Sequence, residues 1–248
     1  MRCQQPVYER AAKLRAVRRL RVGADRLLVS EIFESIQGEG PSVGRPSTFL
    51  RLGLCNLACL WCDTPYTWDS KRFSLAEELT DMRLREVAER VGDADNLVIT
   101  GGEPLLQQQA LEALLPDFTG RVEIETAATV LPSSTLLRRV AQWNVSPKLG
   151  SSGNTSDKRR VGPVLETFAR LEHACFKFVV ATEEDLEEAT ALLVELGIPP
   201  DRVWLMPEGV DAETLSRRSR WLAQTCIGRG YNLGMRLHVL LWGDERGV

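Results

Sequence analysis

No apolar run in these 248 residues approaches the ~20 positions that cross a bilayer, and no stretch has the form of a secretory h-region. The chain is therefore expected in the cytoplasm, without a membrane partner. Cationic excess is lacking as well. Lys and Arg number 31 against 34 Asp and Glu, a net charge of −3, which leaves no electrostatic case for nucleic acid. Six cysteines in a chain this long do not form a disulfide framework and suit a reducing compartment instead. Histidine is scarcer still, with His173 and His238 alone. No internal repeat or low-complexity tract stands out.

What is present reads as an α/β protein. Hydrophobic residues make up 44%, enough for an ordinary core, and the length suits one barrel-sized domain. Residues 1–26 differ from the rest. Arg2, Arg10, Lys13, Arg15, Arg18, Arg19, Arg21 and Arg26 face only Glu9 and Asp25, and Ala11, Leu14 and Val17 recur at helical spacing. A basic helical extension is expected there, solvated or packed, ahead of a single domain over 27–248. Strand patterns follow near 28–33, 48–54, 97–100, 121–126, 144–146, 176–180 and 203–206, with helical patterns over 74–91, 104–115, 183–196 and 212–225. Such alternation predicts right-handed βαβ units, mostly parallel strands and a partial (βα)6-type barrel with its chemistry at the carboxyl ends of the strands. The polar stretch 150–157 is expected to be an inert connection rather than a lid.

The most informative feature is Cys55-Asn56-Leu57-Ala58-Cys59-Leu60-Trp61-Cys62, a C-x3-C-x2-C triplet. A closed structural site wants four protein ligands, and no fourth cysteine or histidine is near in sequence. Three thiolates on a [4Fe–4S] cluster would leave one iron open for an exogenous ligand. Two plainer readings stand beside this one. The cysteines could be small buried apolar residues, or they could form a zinc site completed by Cys175, Cys226, His173 or His238. Zinc ligands usually come as two close pairs, however, and this is a triplet. Downstream, Thr100-Gly101-Gly102-Glu103-Pro104 marks a strand-to-helix turn where glycine allows close backbone approach and proline suits the first helical turn.

Triplet and glycine loop together resemble the radical S-adenosylmethionine enzymes. Further segments resemble one family within them, the 7-carboxy-7-deazaguanine synthases: Gln37-Gly38-Glu39-Gly40, Gly44-Arg45-Pro46-Ser47, Phe49-Leu50-Arg51 and Trp61-Cys62-Asp63-Thr64. The resemblance spans about residues 30–248. It implies a carbon–nitrogen lyase that contracts the ring of 6-carboxy-5,6,7,8-tetrahydropterin to 7-carboxy-7-deazaguanine, with release of ammonia, in deazapurine (queuosine-type) biosynthesis. Implied cofactors are a [4Fe–4S] cluster on Cys55, Cys59 and Cys62, S-adenosylmethionine used as a regenerated cofactor, and Mg2+ on Thr64. Implied partners are a flavodoxin or ferredoxin as electron donor and a second copy in a homodimer.

The same resemblance distributes the remaining roles. Glu39 and Arg51 join the cysteines as catalytic residues. Substrate falls to Ile36, Gln37, Gly38, Glu39, Arg51, Thr100 and the terminal Val248. S-adenosylmethionine falls to Trp61, Cys62, Asp63, Gly102, Glu103, Ser146, Pro147, Lys148, Met206, Pro207 and Glu208. The residue types suit these roles. Amide and carboxylate groups read a guanine-like edge, and the Arg51 fork matches a carboxylate. A threonine hydroxyl is a hard oxygen that Mg2+ accepts. One departure is Glu125-Thr126-Ala127-Ala128, where the family often carries Glu-Thr-Asn-Gly. His238 is expected to be packed or supporting rather than a proton donor. Rival readings are a glycyl-radical activating enzyme, which would lack Gln37 to Gly40, and a non-catalytic metal-binding module.

Overall fold

The computed structural model describes residues 23–248. The basic helix expected near residues 11–21, and Cys3 with it, lie outside the described residues. Arg26 is already the first residue of strand β1, where its Nε donates to Asp81 at 2.7 Å.

β1 (Arg26–Ile36) and β2 (Pro46–Leu52) form an antiparallel pair. Only residues 37–45 join them, too few for the crossover that a parallel pair requires. A mostly parallel series then continues as expected. It runs through β4 (Asn96–Gly101), β5 (Arg121–Thr126), β6 (Gln142–Val145), β7 (Ala174–Val180), β8 (Val203–Pro207) and the short β9 (Asn232–Leu233). Each of these pairs parallel to its neighbour, with β2 beside β4. With β3 (Thr80–Arg83) at one edge, the order is β3-β1-β2-β4-β5-β6-β7-β8-β9, and the sheet stays open.

The single helix expected over 74–91 is two helices and a strand: α1 (Leu75–Glu78), β3 (Thr80–Arg83) and α2 (Leu84–Val91). β3 pairs antiparallel with the outer edge of β1. Its backbone groups are worth more there than in a helix, because β1 would otherwise be an open edge. Glu86 reaches back to the Arg83 N–H at 2.9 Å and starts α2 after the interruption.

Alternation of side chains gives the sheet two unlike faces. Leu50, Leu52, Leu97, Ile99, Val122, Ile124, Trp143, Val145, Phe176 and Phe178 point one way and are all buried in one core. Outer helices close over them: α2, α3 (Gln108–Leu114), α4 (Ser134–Arg139), α6 (Gly162–Ala169), α7 (Glu183–Leu196) and α8 (Ala212–Arg229). Between α4 and α6 lies the short α5 (Ser156–Arg159), and α9 (Leu237–Trp242) ends the series.

The opposite face is polar where sequence position alone suggests strand interior. Asn96 donates to Ser47 at 2.8 Å, Asn144 to Glu123 at 3.2 Å, and the Cys175 thiol to Asn144 at 3.1 Å. Buried polar groups cost little when each finds a partner. This hydrogen-bonded floor lies beneath the site.

Candidate active site

A cavity of about 240 Å³ opens over the carboxyl ends of the parallel strands. It is lined by Cys55, Cys59 and Cys62, by Gln37, Gly38 and Glu39, and by the strand residues Arg51, Thr100, Glu125, Lys177 and Met206. Segments from Gln37 to Met206 therefore face one space.

The cysteine loop leaves β2 through Leu54, which has a left-handed φ of 71°. Such a conformation is unfavourable for a branched side chain. It is held by Leu54 N donating to the Thr67 carbonyl at 2.8 Å and by its own carbonyl accepting from Glu103 N at 2.8 Å. Sequence reading gave the glycine pair close approach to a ligand. The structure shows a different need. A Cβ on Gly102 would fall 1.9 Å from the Leu54 carbonyl oxygen, and one on Gly101 would fall 2.1 Å from that of Leu52. The glycines let the loop after β4 lie against the cysteine loop's own backbone.

Burial pushes the Cys55 thiol up to about 12, and burial raises Cys59 as well, against the lowering pull of nearby Lys148. No set of three His, Cys, Asp or Glu side chains converges on one ion position among the described residues. Cys175 is engaged in the polar floor and Cys226 sits on the buried face of α8, and neither lines the cavity with the triplet. Three soft sulfurs lining one cavity suit an iron–sulfur cluster, whose ligands bind different irons.

At the other end Glu39 is the centre of charge. Lys177 ion-pairs with one of its oxygens, and Arg236 Nε approaches the other at 3.3 Å. Burial pushes the Glu39 carboxyl up, but Lys177, Arg236 and His238 together outweigh it and hold the group well below the ordinary carboxylate range. Burial acts to lower Lys177, yet Glu39 and Glu125 hold it above its usual value. His238 is shifted down, first by its burial and then by Arg236, against the opposite pull of Glu39. A Cβ on Gly38 would strike the His238 ring at 2.1 Å.

Two residues that line this cavity carry a buried hydrogen-bonding atom with no partner among the described residues. Gln37 accepts from Glu39 N at 3.1 Å through Oε1, while its Nε2 is buried without a partner. Trp61 Nε1 is likewise buried and unpartnered. Lys148 stands 5.7 Å over the Trp61 ring and 3.0 Å from Ser146 Oγ. Arg51 is fixed through Nε by Glu31 at 2.7 Å and lies over Phe33 at 5.5 Å, a partnership its sequence setting did not reveal. Thr64 offers one hydroxyl, 3.8 Å from Cys62 Sγ.

Of the residues expected at the site, Ile36, Gln37, Gly38, Glu39, Arg51, Trp61, Asp63, Thr64, Thr100, Gly102, Ser146, Lys148, Met206, Glu208 and Val248 line the cavity with the three cysteines. Glu103, Pro147 and Pro207 do not. Glu103 is fully buried and accepts from Leu105 N, Thr126 Oγ1 and Ala127 N, so its carboxylate clamps the loop after β5. Pro207 belongs to a separate depression under α8. In the clamped loop Ala128 has a φ of 57°, at the position where the family often has glycine.

Lys177, Arg236, Tyr66 and Trp68 also line the cavity and were missed from sequence. Lys177 carried a usable signal, a charge on the inward side of the apolar strand Ala174–Val180. The 150–157 stretch is not inert. Leu60 N donates to the Ser152 carbonyl at 3.0 Å, and Asn154 brackets the cysteine loop by accepting from Ala58 N at 2.9 Å and donating to Cys59 Sγ at 3.2 Å.

An open, mostly parallel sheet with a cysteine triplet above its strand ends defines a radical S-adenosylmethionine enzyme. The Radical SAM superfamily profile matches residues 51–224. A 7-carboxy-7-deazaguanine synthase from Pyrobaculum aerophilum is 37% identical over 225 residues, covering 90% of this chain and 97% of that protein. Its counterpart from Rhodopirellula baltica is 33% identical, covering 92% and 91%, and that from Bacillus subtilis 31%, covering 89% and 98%. The crystal structure of QueE from Escherichia coli superposes with a TM-score of 0.65 at 26% identity, over 86% of this chain and 95% of that one. This chain belongs to the 7-carboxy-7-deazaguanine synthase family of the Radical SAM superfamily.

Proposed function

We propose that this protein converts 6-carboxy-5,6,7,8-tetrahydropterin to 7-carboxy-7-deazaguanine and ammonia, as a radical carbon–nitrogen lyase of deazapurine biosynthesis. The observation that carries this reading is one cavity with soft sulfur ligands at one end and a fixed guanine-reading edge at the other. When bound and reduced by one electron, the cluster with S-adenosylmethionine supplies the 5′-deoxyadenosyl radical that exchanges hydrogen with the substrate.

Each end of the cavity has its task. Cys55, Cys59 and Cys62 hold the cluster. Trp61, Asp63, Gly102, Ser146, Lys148, Met206 and Glu208 surround S-adenosylmethionine. The free Gln37 amide and the anionic Glu39 face the donor and acceptor groups of the pterin. Arg51, oriented by Glu31, faces the substrate carboxylate, and Thr100 and Val248 close that end. Thr64 gives Mg2+ one oxygen, with substrate oxygens and water completing the shell. Among the described residues no helix is long and apolar enough to cross a membrane. The catalytic unit begins with β1 at Arg26, one residue earlier than expected, and the basic residues before it form an extension. The enzyme works in the cytoplasm as a homodimer, with a flavodoxin or ferredoxin as donor and without nucleic acid or a membrane as partner.

The test is an anaerobic assay of reconstituted protein with S-adenosylmethionine, Mg2+, a reductant and the pterin, read by mass spectrometry. Formation of 7-carboxy-7-deazaguanine without net loss of S-adenosylmethionine is expected. Cleavage of S-adenosylmethionine with the pterin untouched would sink the substrate assignment.

A further inference from the structure

Each sulfur of the triplet receives one hydrogen bond from a neutral N–H. Leu57 N donates to Cys55 Sγ at 3.4 Å, Asn154 Nδ2 to Cys59 Sγ at 3.2 Å, and Trp68 Nε1 to Cys62 Sγ at 3.3 Å. The first comes from the cysteine loop's own backbone. The other two are side chains on separate segments, and neither choice of acceptor is obvious. An indole N–H is a donor only, and a thiol sulfur is a weak acceptor that improves as a thiolate.

Trp68 is placed by local structure. It ends the helical turn Pro65–Thr67, its N–H donating to the Pro65 carbonyl at 3.2 Å, which sets its ring beside Cys62. Asn154 is placed by the 150–157 loop. Its Oδ1 takes Ala58 N, so the amide orientation is fixed and Nδ2 is the atom left for Cys59.

We infer that Trp68 and Asn154 are positioning residues that set the reduction potential of the cluster through N–H···S bonds to two of its three ligands. The inference rests on Cys55, Cys59 and Cys62 being those ligands. One electron from an external donor adds one negative charge to the cluster, and that charge is spread partly over the sulfurs. An N–H aimed at a sulfur stabilises the reduced state more than the oxidised one. Removing it makes the cluster harder to reduce.

The experiment is an EPR-monitored potentiometric titration of the full chain, reconstituted anaerobically with iron and sulfide, with dithionite as reductant. Trp68→Phe keeps the ring and deletes the donor. Asn154→Asp keeps the oxygen that Ala58 N needs and replaces the donor with an acceptor. Both variants are expected to retain wild-type iron content and to show a more negative midpoint, with the double variant lower than either. Unchanged midpoints with intact clusters would overturn the inference and leave the cluster assignment standing. Absence of a cluster in the wild-type chain would overturn that assignment and this inference with it. Should Trp68→Phe fail to retain the cluster, an unshifted midpoint in Asn154→Asp alone overturns the inference.

Discussion

Glu31 and Arg51 face each other in register across the β1–β2 pair, and Arg51 Nε donates to Glu31 Oε2 at 2.7 Å. Tyr66 donates its hydroxyl to the same oxygen at 3.1 Å, and Arg246 Nε reaches the other oxygen at 3.1 Å. One carboxylate thus orients the arginine assigned to the substrate and anchors the C-terminal segment that walls the cavity. Glu31→Gln keeps the shape but removes the charge. A hydrogen bond to a charged group is worth ~1.5–3 kcal/mol, so KM for the pterin is expected to rise about tenfold. Steady-state kinetics at saturating S-adenosylmethionine would check this; an unchanged KM would separate Glu31 from substrate binding.

Arg246 also lies 3.6 Å from the centre of the Tyr66 ring and 3.1 Å from Glu78. Its side chain is 46% exposed, so salt weakens these contacts. The cation–π contact is worth ~0.5–1 kcal/mol. Arg246→Ala is therefore expected to raise KM a few-fold while leaving the cluster content intact. In the parent enzyme, KM should climb with ionic strength, and the variant should lose most of that dependence.

The buried Lys177–Glu39 pair predicts a pH signature. Glu39 is depressed in the folded state, so its stabilisation is present above the unfolded carboxylate value near 4.5 and is lost as pH falls towards the lower folded value. Lys177 is raised, so its share is present below 10.5 and is lost only at higher pH. Stability from the pair is flat between these limits. Lys177→Met leaves a buried carboxylate short of one partner, at a cost of about 3 kcal/mol. Urea unfolding should show that loss at pH 7 and a smaller one near pH 4.5, where Glu39 can take up a proton. Equal losses at both pH values would refute the coupling.

Gly102→Ala tests the contact between the two loops. The added methyl would meet the Leu54 carbonyl and approach Cys55 Cβ at 3.1 Å. The cysteine loop must shift, and iron and sulfide per chain after reconstitution are expected to fall several-fold with the secondary structure retained. Full cluster content would show that the loop yields without cost.

The ligand triplet, Gln37-Gly38-Glu39-Gly40 and Trp61-Cys62-Asp63-Thr64 were legible because each is a contiguous segment whose backbone delivers its side chains together. The sheet was legible through the alternation of strand and helix patterns, since those periods follow from backbone geometry. β3 was not, because Thr80–Arg83 takes its form from an edge supplied by β1, about 50 residues earlier. The partners of Glu103 were not legible either, because Thr126 and Ala127, which its carboxylate accepts from, lie more than 20 residues further along the chain.

The sequence by itself determined the cofactor chemistry and most of the strand and helix segments, because both reside in short-range spacing. Only the tertiary structure decided the charges. Lys177 lies 138 positions from Glu39, Arg236 lies 197 from it, and Asn154 lies 95 from Cys59. A charge or an amide gains its role from what it is buried against. Burial is a property of the folded sheet and its loops, not of any one segment.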